Sequence, residues 1–112
     1  MFDYEGRLFR PTDDDGGQAT IARYHQDGDL VWAEISGGRV RRGSMTGTRD
    51  PDGALSFGYC MVLDNGQLIV GSCRSLPAVL DDGRIRLTEH WERYGQQAAT
   101  GISYIEEIPA PV

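Results

Sequence analysis

Glu89 is the first residue on which chemistry could turn. It stands between Leu87 and Trp91 on one face of an alternating segment, with Ile85 in the same row. Arg84, Arg86, Thr88, His90 and Glu92 occupy the other face. A carboxylate in an apolar row needs a partner if it points inward, because an unpaired buried charge is costly. Arg74 is the first candidate, since the register derived below sets it on the face of Val70 and Leu68. Trp32 and Tyr59 belong to apolar faces too. If these faces enclose a cavity, Trp32, Tyr59, Arg74, Glu89 and Trp91 would line a site for a small polar or aromatic ligand. If they do not, Glu89 and Arg74 complete a core as an ion pair or sit at its rim.

The other reactive side chains suggest less. His90 alternates with Glu89 and should face solvent, and His25 lies beside the turn Asp27-Gly28-Asp29. Cys60 and Cys73 are too few for a structural zinc site, and neither histidine falls at a ligand spacing. Cys73 reads as a small buried apolar residue. Asp13-Asp14-Asp15-Gly16-Gly17 lacks the distal Glu of a calcium loop and reads as a solvated turn. No Gly-x-Ser-x-Gly elbow and no Walker pattern occurs. No catalytic residue, metal site or cofactor is therefore expected.

The elements that must position these residues are strands. At 112 residues, 39% apolar and 25% charged, the chain reads as a single domain over 1–112 with one core. Its 15 glycines fall among apolar runs, which marks turns. Turn signals recur at Asp27-Gly28-Asp29, Gly37-Gly38, Asp50-Pro51-Asp52-Gly53, Asp64-Asn65-Gly66 and Asp81-Asp82-Gly83. Period-two alternation between them predicts strands near 6–10, 18–26, 29–37, 39–49, 54–63, 67–76, 84–94 and 101–108. The one candidate for a short helical turn lies within 95–99. The expected fold is all-β: an antiparallel up-and-down meander of about eight strands, curled into a closed or partly open calycin-like or lipocalin-like barrel.

Asn65-Gly66 predicts a two-residue type I′ hairpin. In that register Leu63 faces Leu68, Met61 faces Val70, Tyr59 faces Ser72 and Phe57 faces Arg74. The two cysteines become diagonal neighbours on one face, a poor disulfide geometry.

Seventeen acidic residues against eleven basic ones give a net charge of −6, and the chain has no lysine. Nucleic acid, which is held by clustered Lys and Arg, is excluded as a partner by that balance. No apolar run is long enough to predict a membrane-spanning helix. The opening Met1-Phe2-Asp3-Tyr4-Glu5 does not read as a signal peptide, so a soluble, cytoplasmic protein with reduced thiols is expected.

Gly71-Ser72-Cys73-Arg74-Ser75 with Pro77, and Gly83-Arg84-Ile85-Arg86-Leu87 with Glu89 and Trp91, resemble a family of short bacterial proteins that carry the label N-acetylglutamate synthase. Leu8-Phe9-Arg10-Pro11 and Ser103-Tyr104-Ile105-Glu106-Glu107-Ile108 extend the resemblance over nearly the whole chain. The family pattern has histidine where this chain has Arg74, and a second tryptophan where it has Arg93. The label implies acetyl transfer from acetyl-CoA to glutamate. The usual acetyltransferase of that activity resembles a mixed α/β fold, whose Arg/Gln-x-x-Gly-x-Gly/Ala loop leads into a helix. Here Arg93-Tyr94-Gly95-Gln96-Gln97-Ala98 has its glycine one place early, with no adequate helix after it.

Three functions follow as expectations. The first is a binding module for a small hydrophobic or amphipathic molecule. The second is an enzyme, either the acetyltransferase that the resemblance implies or an unassigned reaction in the barrel mouth with Glu89 as acid or base. The third is an interaction domain with a packed core, self-associating as a homodimer. Fold alone does not choose among them; a lined cavity would favour the first two, a filled core the third.

Overall fold

The computed structural model describes residues 2–12 and 19–109, so the Asp13–Gly17 acidic cluster lies outside the described residues. Eight strands follow one another: β1 Leu8–Pro11, β2 Ile21–Asp27, β3 Leu30–Gly37, β4 Val40–Arg49, β5 Leu55–Leu63, β6 Leu68–Val79, β7 Ile85–Arg93 and β8 Ala99–Glu107. Each pairs antiparallel with the next, and β8 returns to β1 to close the barrel. The all-β meander expected from alternation and turn spacing is the fold observed, and it is closed. A three-residue 3-10 turn, Gly95–Gln97, is the single helical element among the described residues. None of their helices is long and apolar enough to cross a membrane.

Three hairpins are built on one local design. At Leu63–Gly66 the Gly66 N–H donates to the Leu63 carbonyl at 3.0 Å, while the Leu63 N–H donates to the Gln67 carbonyl at 2.9 Å. The same two bonds recur at Asp50–Gly53 and Leu80–Gly83. Gly53, Gly66 and Gly83 all have φ between 84° and 92°, and no non-glycine residue among the described residues has positive φ. Each is thus a type I turn followed by a left-handed glycine bulge. Side chains fasten the turns: Asn65 Oδ1 accepts the Gln67 N–H, and Asp50 Oδ1 accepts the N–H groups of Asp52 and Ala54.

The bulge corrects the expected register. A type I′ turn at Asn65-Gly66 would need positive φ at both residues, but only Gly66 has it. The additional loop residue slides β6 by one, so that Met61 faces Ile69, Tyr59 faces Gly71, Phe57 faces Cys73 and Ser56 faces Arg74. A one-residue slip exchanges the faces of a strand. Ile69, Cys73 and Ser75 are buried inside, while Leu68, Val70 and Arg74 stand outside. The cysteines are accordingly on opposite faces, Cys73 buried and Cys60 exposed.

Closure rests on a short strand. β1 offers two residues to β2 and three to β8. Its ends are reinforced by Gly6 N–H to the Tyr24 carbonyl and Ile108 N–H to the Leu8 carbonyl. Arg7 Nη1 lies 2.9 and 3.0 Å from the two Glu107 carboxylate oxygens, and Glu107 Oε1 also accepts the Ile85 N–H. One charge-assisted pair therefore ties the seam to β7.

The segment before β1 plugs one end of the barrel. Tyr4 is fully buried, and its hydroxyl donates to the Gly53 carbonyl at 2.7 Å. Its ring lies 5.9 Å from Tyr24 and 6.4 Å from Phe9, whose own rings are 4.7 Å apart. Val31, Leu55, Ile85 and Leu87 complete this closed half of the core. Tilted aromatic contacts of this kind add to the burial that holds the half together.

Gly66→Val should lower stability by about 1–3 kcal/mol, the cost of forcing a β-branched residue to positive φ. No atom lies within 4 Å of a Cβ built there, so backbone strain is the sole cause. An unchanged midpoint in urea denaturation would contradict the left-handed bulge.

Candidate functional site

Beyond the aromatic plug the lumen is not filled. A cavity of about 310 Å³ lies between the plug and the far end of the barrel, where β3 meets β4 and β7 meets β8. Tyr24, Met45, Phe57, Cys73, Glu89 and Ser103 line its inner part, and Tyr59, Trp91, Arg10 and Arg93 its outer part. That volume sits near the lower bound of roughly 300 Å³ for small-molecule pockets.

The space exists because large inward side chains lie over glycines of the adjacent strand. Trp91 is paired with Gly101, Tyr59 with Gly71, Phe57 with Gly47 and Met61 with Gly43. A Cβ at Gly101 would strike the Trp91 indole, one at Gly71 would come 2.6 Å from the Tyr59 hydroxyl, and one at Gly43 2.6 Å from Met61 Cγ. With no Cβ beneath them the rings lean against the wall and leave the axis open. Glycine-rich inner faces trade strand propensity for this room.

Glu89 is the polar exception in that wall. β7 presents Ile85, Leu87, Glu89, Trp91 and Arg93 inward, as alternation predicts, and Glu89 is flanked by Ser75 of β6 and Ser103 of β8. The Ser103 hydroxyl donates to Oε1 at 3.4 Å, and the Cys73 Sγ lies 4.0 Å from Oε2. No basic group lies within 4 Å of the carboxylate among the described residues. Burial raises its pKa to about 7, against the weaker opposing pull of the Ser103 and Ser75 hydroxyls. The neighbours stay protonated: burial, then the Glu89 charge, push the Cys73 thiol up to about 12 and the Tyr24 phenol well above its ordinary value. Burial also raises Tyr59, with the Arg93 guanidinium opposing.

Of the five residues singled out from sequence, the fold brings three together: Tyr59, Glu89 and Trp91. The other two lie outside. Arg74, displaced by the register slip, is exposed, donating to Ser56 Oγ at 3.0 Å and pairing with Asp50 at 3.3 Å. The expected Arg74–Glu89 ion pair does not exist, because the two occupy opposite faces of the sheet. Trp32 faces outward from β3 and stacks on His25 with ring centroids 5.4 Å apart. It alternates with Val31 and Ala33, and the latter two are buried. His25 is half-buried on the outer face, under Trp32, and lies 2.9 Å from Glu34. Tyr24, Phe57, Ser75, Ser103 and Arg93 were not picked out. Arg93 was legible in principle, four places after Glu89 on the same face; the serines emerge only once pairing across three strands is known.

Residues 2–108 match the family described as avidin-like protein. No curated protein and no solved structure matches the chain.

Glu89 makes stability depend on pH in a definite direction. Its folded pKa is raised from 4.5, so between about 4.5 and 7 the native state holds a proton that the unfolded chain has lost. Stability should therefore fall as pH rises through that window and level off above it. His25, raised by its hydrogen bond to Glu34, acts in the same sense. The melting-temperature difference between wild type and Glu89→Gln isolates the carboxyl. The variant should match wild type near pH 4.5 and exceed it at pH 8; equal curves across the range would mean that the carboxyl is solvated.

Proposed function

The chain belongs to the avidin-like family, and from that premise we propose that it is a binding barrel for a small amphipathic molecule held in the lumen. The observation that carries this reading is the unfilled cavity behind Trp91 and Tyr59, with one carboxyl in its wall. A packed interaction domain would have no reason to lay four large side chains over glycines and leave the axis empty. The ligand's apolar body rests on Trp91, Tyr59 and Phe57, and its polar group meets Glu89 and the Ser103 hydroxyl. Restricting a ligand's contacts to a few polar groups in an aromatic wall gives orientation as well as affinity.

The geometry offers acetyl transfer little support. The stretch after Arg93 is a three-residue 3-10 turn at Gly95–Gln97, too short to present a helix N-terminus to a pyrophosphate. The Cys73 thiol beside Glu89 is held protonated. Self-association is the second part of the proposal. The outer face of β6–β8 exposes Val70, Leu76, Ile102 and Tyr104, an apolar surface suited to a second copy.

Anilinonaphthalene sulfonate, whose fluorescence rises in apolar sites, should bind the native protein saturably. Ala22→Phe, which fills the cavity from β2, should weaken that binding at least tenfold with the β-type circular dichroism spectrum intact. Binding unaffected by the filled cavity would place the dye elsewhere and remove the basis for the reading. Acetyl-CoA should leave the melting temperature unchanged, whereas a saturable rise would favour the transferase. Light scattering that gives a monomer mass at all concentrations would sink the self-association part.

A further inference from the structure

Arg93 and Glu89 form an unpaired couple within one cavity. Both point inward from β7, on either side of Trp91. Four residues of strand separate their Cα atoms by about 13 Å. The Arg93 guanidinium lies 5.1 Å over the Trp91 ring, with its Nε buried and without a hydrogen-bond partner. No carboxylate approaches it within 4 Å, and no cation approaches Glu89, among the described residues. Arg7, Arg39, Arg74, Arg84 and Arg86 pair with acidic residues, whereas Arg93 and Glu89 face one cavity with no ion-pair partner among the described residues.

We infer that the cavity takes a dipolar ligand: a protonated amine seated at Glu89, a flat apolar body along Trp91, and a carboxylate at Arg93. This assignment rests on the binding-barrel reading and narrows it. Glu89, between the Ser75 and Ser103 hydroxyls, offers acceptors to an ammonium group, and the aromatic faces of Tyr24, Phe57 and Trp91 suit a cation entering past them. Arg93 stands nearer the mouth with Arg10, where a planar fork matches a carboxylate. A purely cationic ligand would leave Arg93 unmatched and pass two arginines. A purely anionic one would face the Glu89 carboxylate unless that group were protonated.

The charge state of the cavity supports the polarity of the ligand. Cys73 on β6, Tyr24 on β2 and Tyr59 on β5 all remain neutral near pH 7, which leaves Glu89 as the one inner group that titrates there. Seating an ammonium group requires Glu89 ionised, so binding releases its proton. Apparent affinity should scale with the ionised fraction, which changes roughly 30-fold between pH 5.5 and 8 for a pKa of about 7.

Three matched probes test this by calorimetry: 2-phenylethylamine, 4-ethylbenzoate and 4-(2-aminoethyl)benzoate. At pH 8 the last should bind at least tenfold tighter than either of the others. Glu89→Gln should reduce it to the level of 4-ethylbenzoate, and Arg93→Gln to that of 2-phenylethylamine. In wild type its affinity should rise toward the 30-fold limit from pH 5.5 to 8. Binding of 4-ethylbenzoate as tight as that of the dipolar probe, or an affinity that climbs as pH falls, would overturn the inference. If no probe binds while anilinonaphthalene sulfonate does, the dipolar assignment fails and the binding barrel stands; if the dye fails as well, both readings fall.

Discussion

A left-handed glycine at the end of a hairpin turn decides which side chains enter this barrel. At Gly53, Gly66 and Gly83 the positive φ adds one residue to the loop, and the pairing of the following strand slides with it. Strand side chains alternate with a period of two, so that single residue exchanges inside for outside. Cys73 and Ser75 enter the lumen because of it, and Arg74 is turned out to Asp50. The composition of the cavity wall is a consequence of backbone geometry at three loop positions.

The second constraint is the exchange of volume between neighbouring strands. An eight-stranded barrel is just wide enough for side chains to fill or for one small ligand. Here the outcome is set by inward glycines on β4, β6 and β8, which receive Phe57, Met61, Tyr59 and Trp91 against the wall. Closed and open halves then divide the labour. Tyr4, Phe9 and Tyr24 pack the plugged end, where burial stabilises the fold, and the other end keeps its space.

Glu89 shows how that division concentrates electrostatics. A buried carboxyl with hydroxyls beside it but no basic group within 4 Å is destabilised when ionised, and its raised pKa reflects this. Arg7 at the seam and Arg84 beside its turn are paired with carboxylates, whereas Arg93 lies on an indole without one. Polar groups that folding leaves unmatched are the ones a ligand can match, and such sites commonly lower stability for the sake of function.

By itself the sequence determined the class of fold and the orientation of β7. Alternation over 54–63 and 84–94 is local, and the side chains report it directly; that is why Tyr59, and Glu89 with Trp91, could each be set on one apolar face of its strand, while which face the barrel turns inward waited for the closed sheet. Glycine-bearing turns every ten residues or so gave the meander. Tertiary structure decided what alternation cannot express. Whether Asn65-Gly66 makes a two-residue loop or a bulged one depends on the φ of Asn65, which either turn tolerates, and the position of Arg74 hangs on that choice. The outward placement of Trp32 depends on which of two apolar faces of β3 the closed barrel selects. Ser75 and Ser103 lie far from Glu89 in sequence and reach it only through the β6–β7–β8 register. Whether the lumen would be filled was equally hidden, because it is a sum over eight strands: each glycine opposite a ring is visible only after both strands are in place, and the cavity is the space that remains when they are.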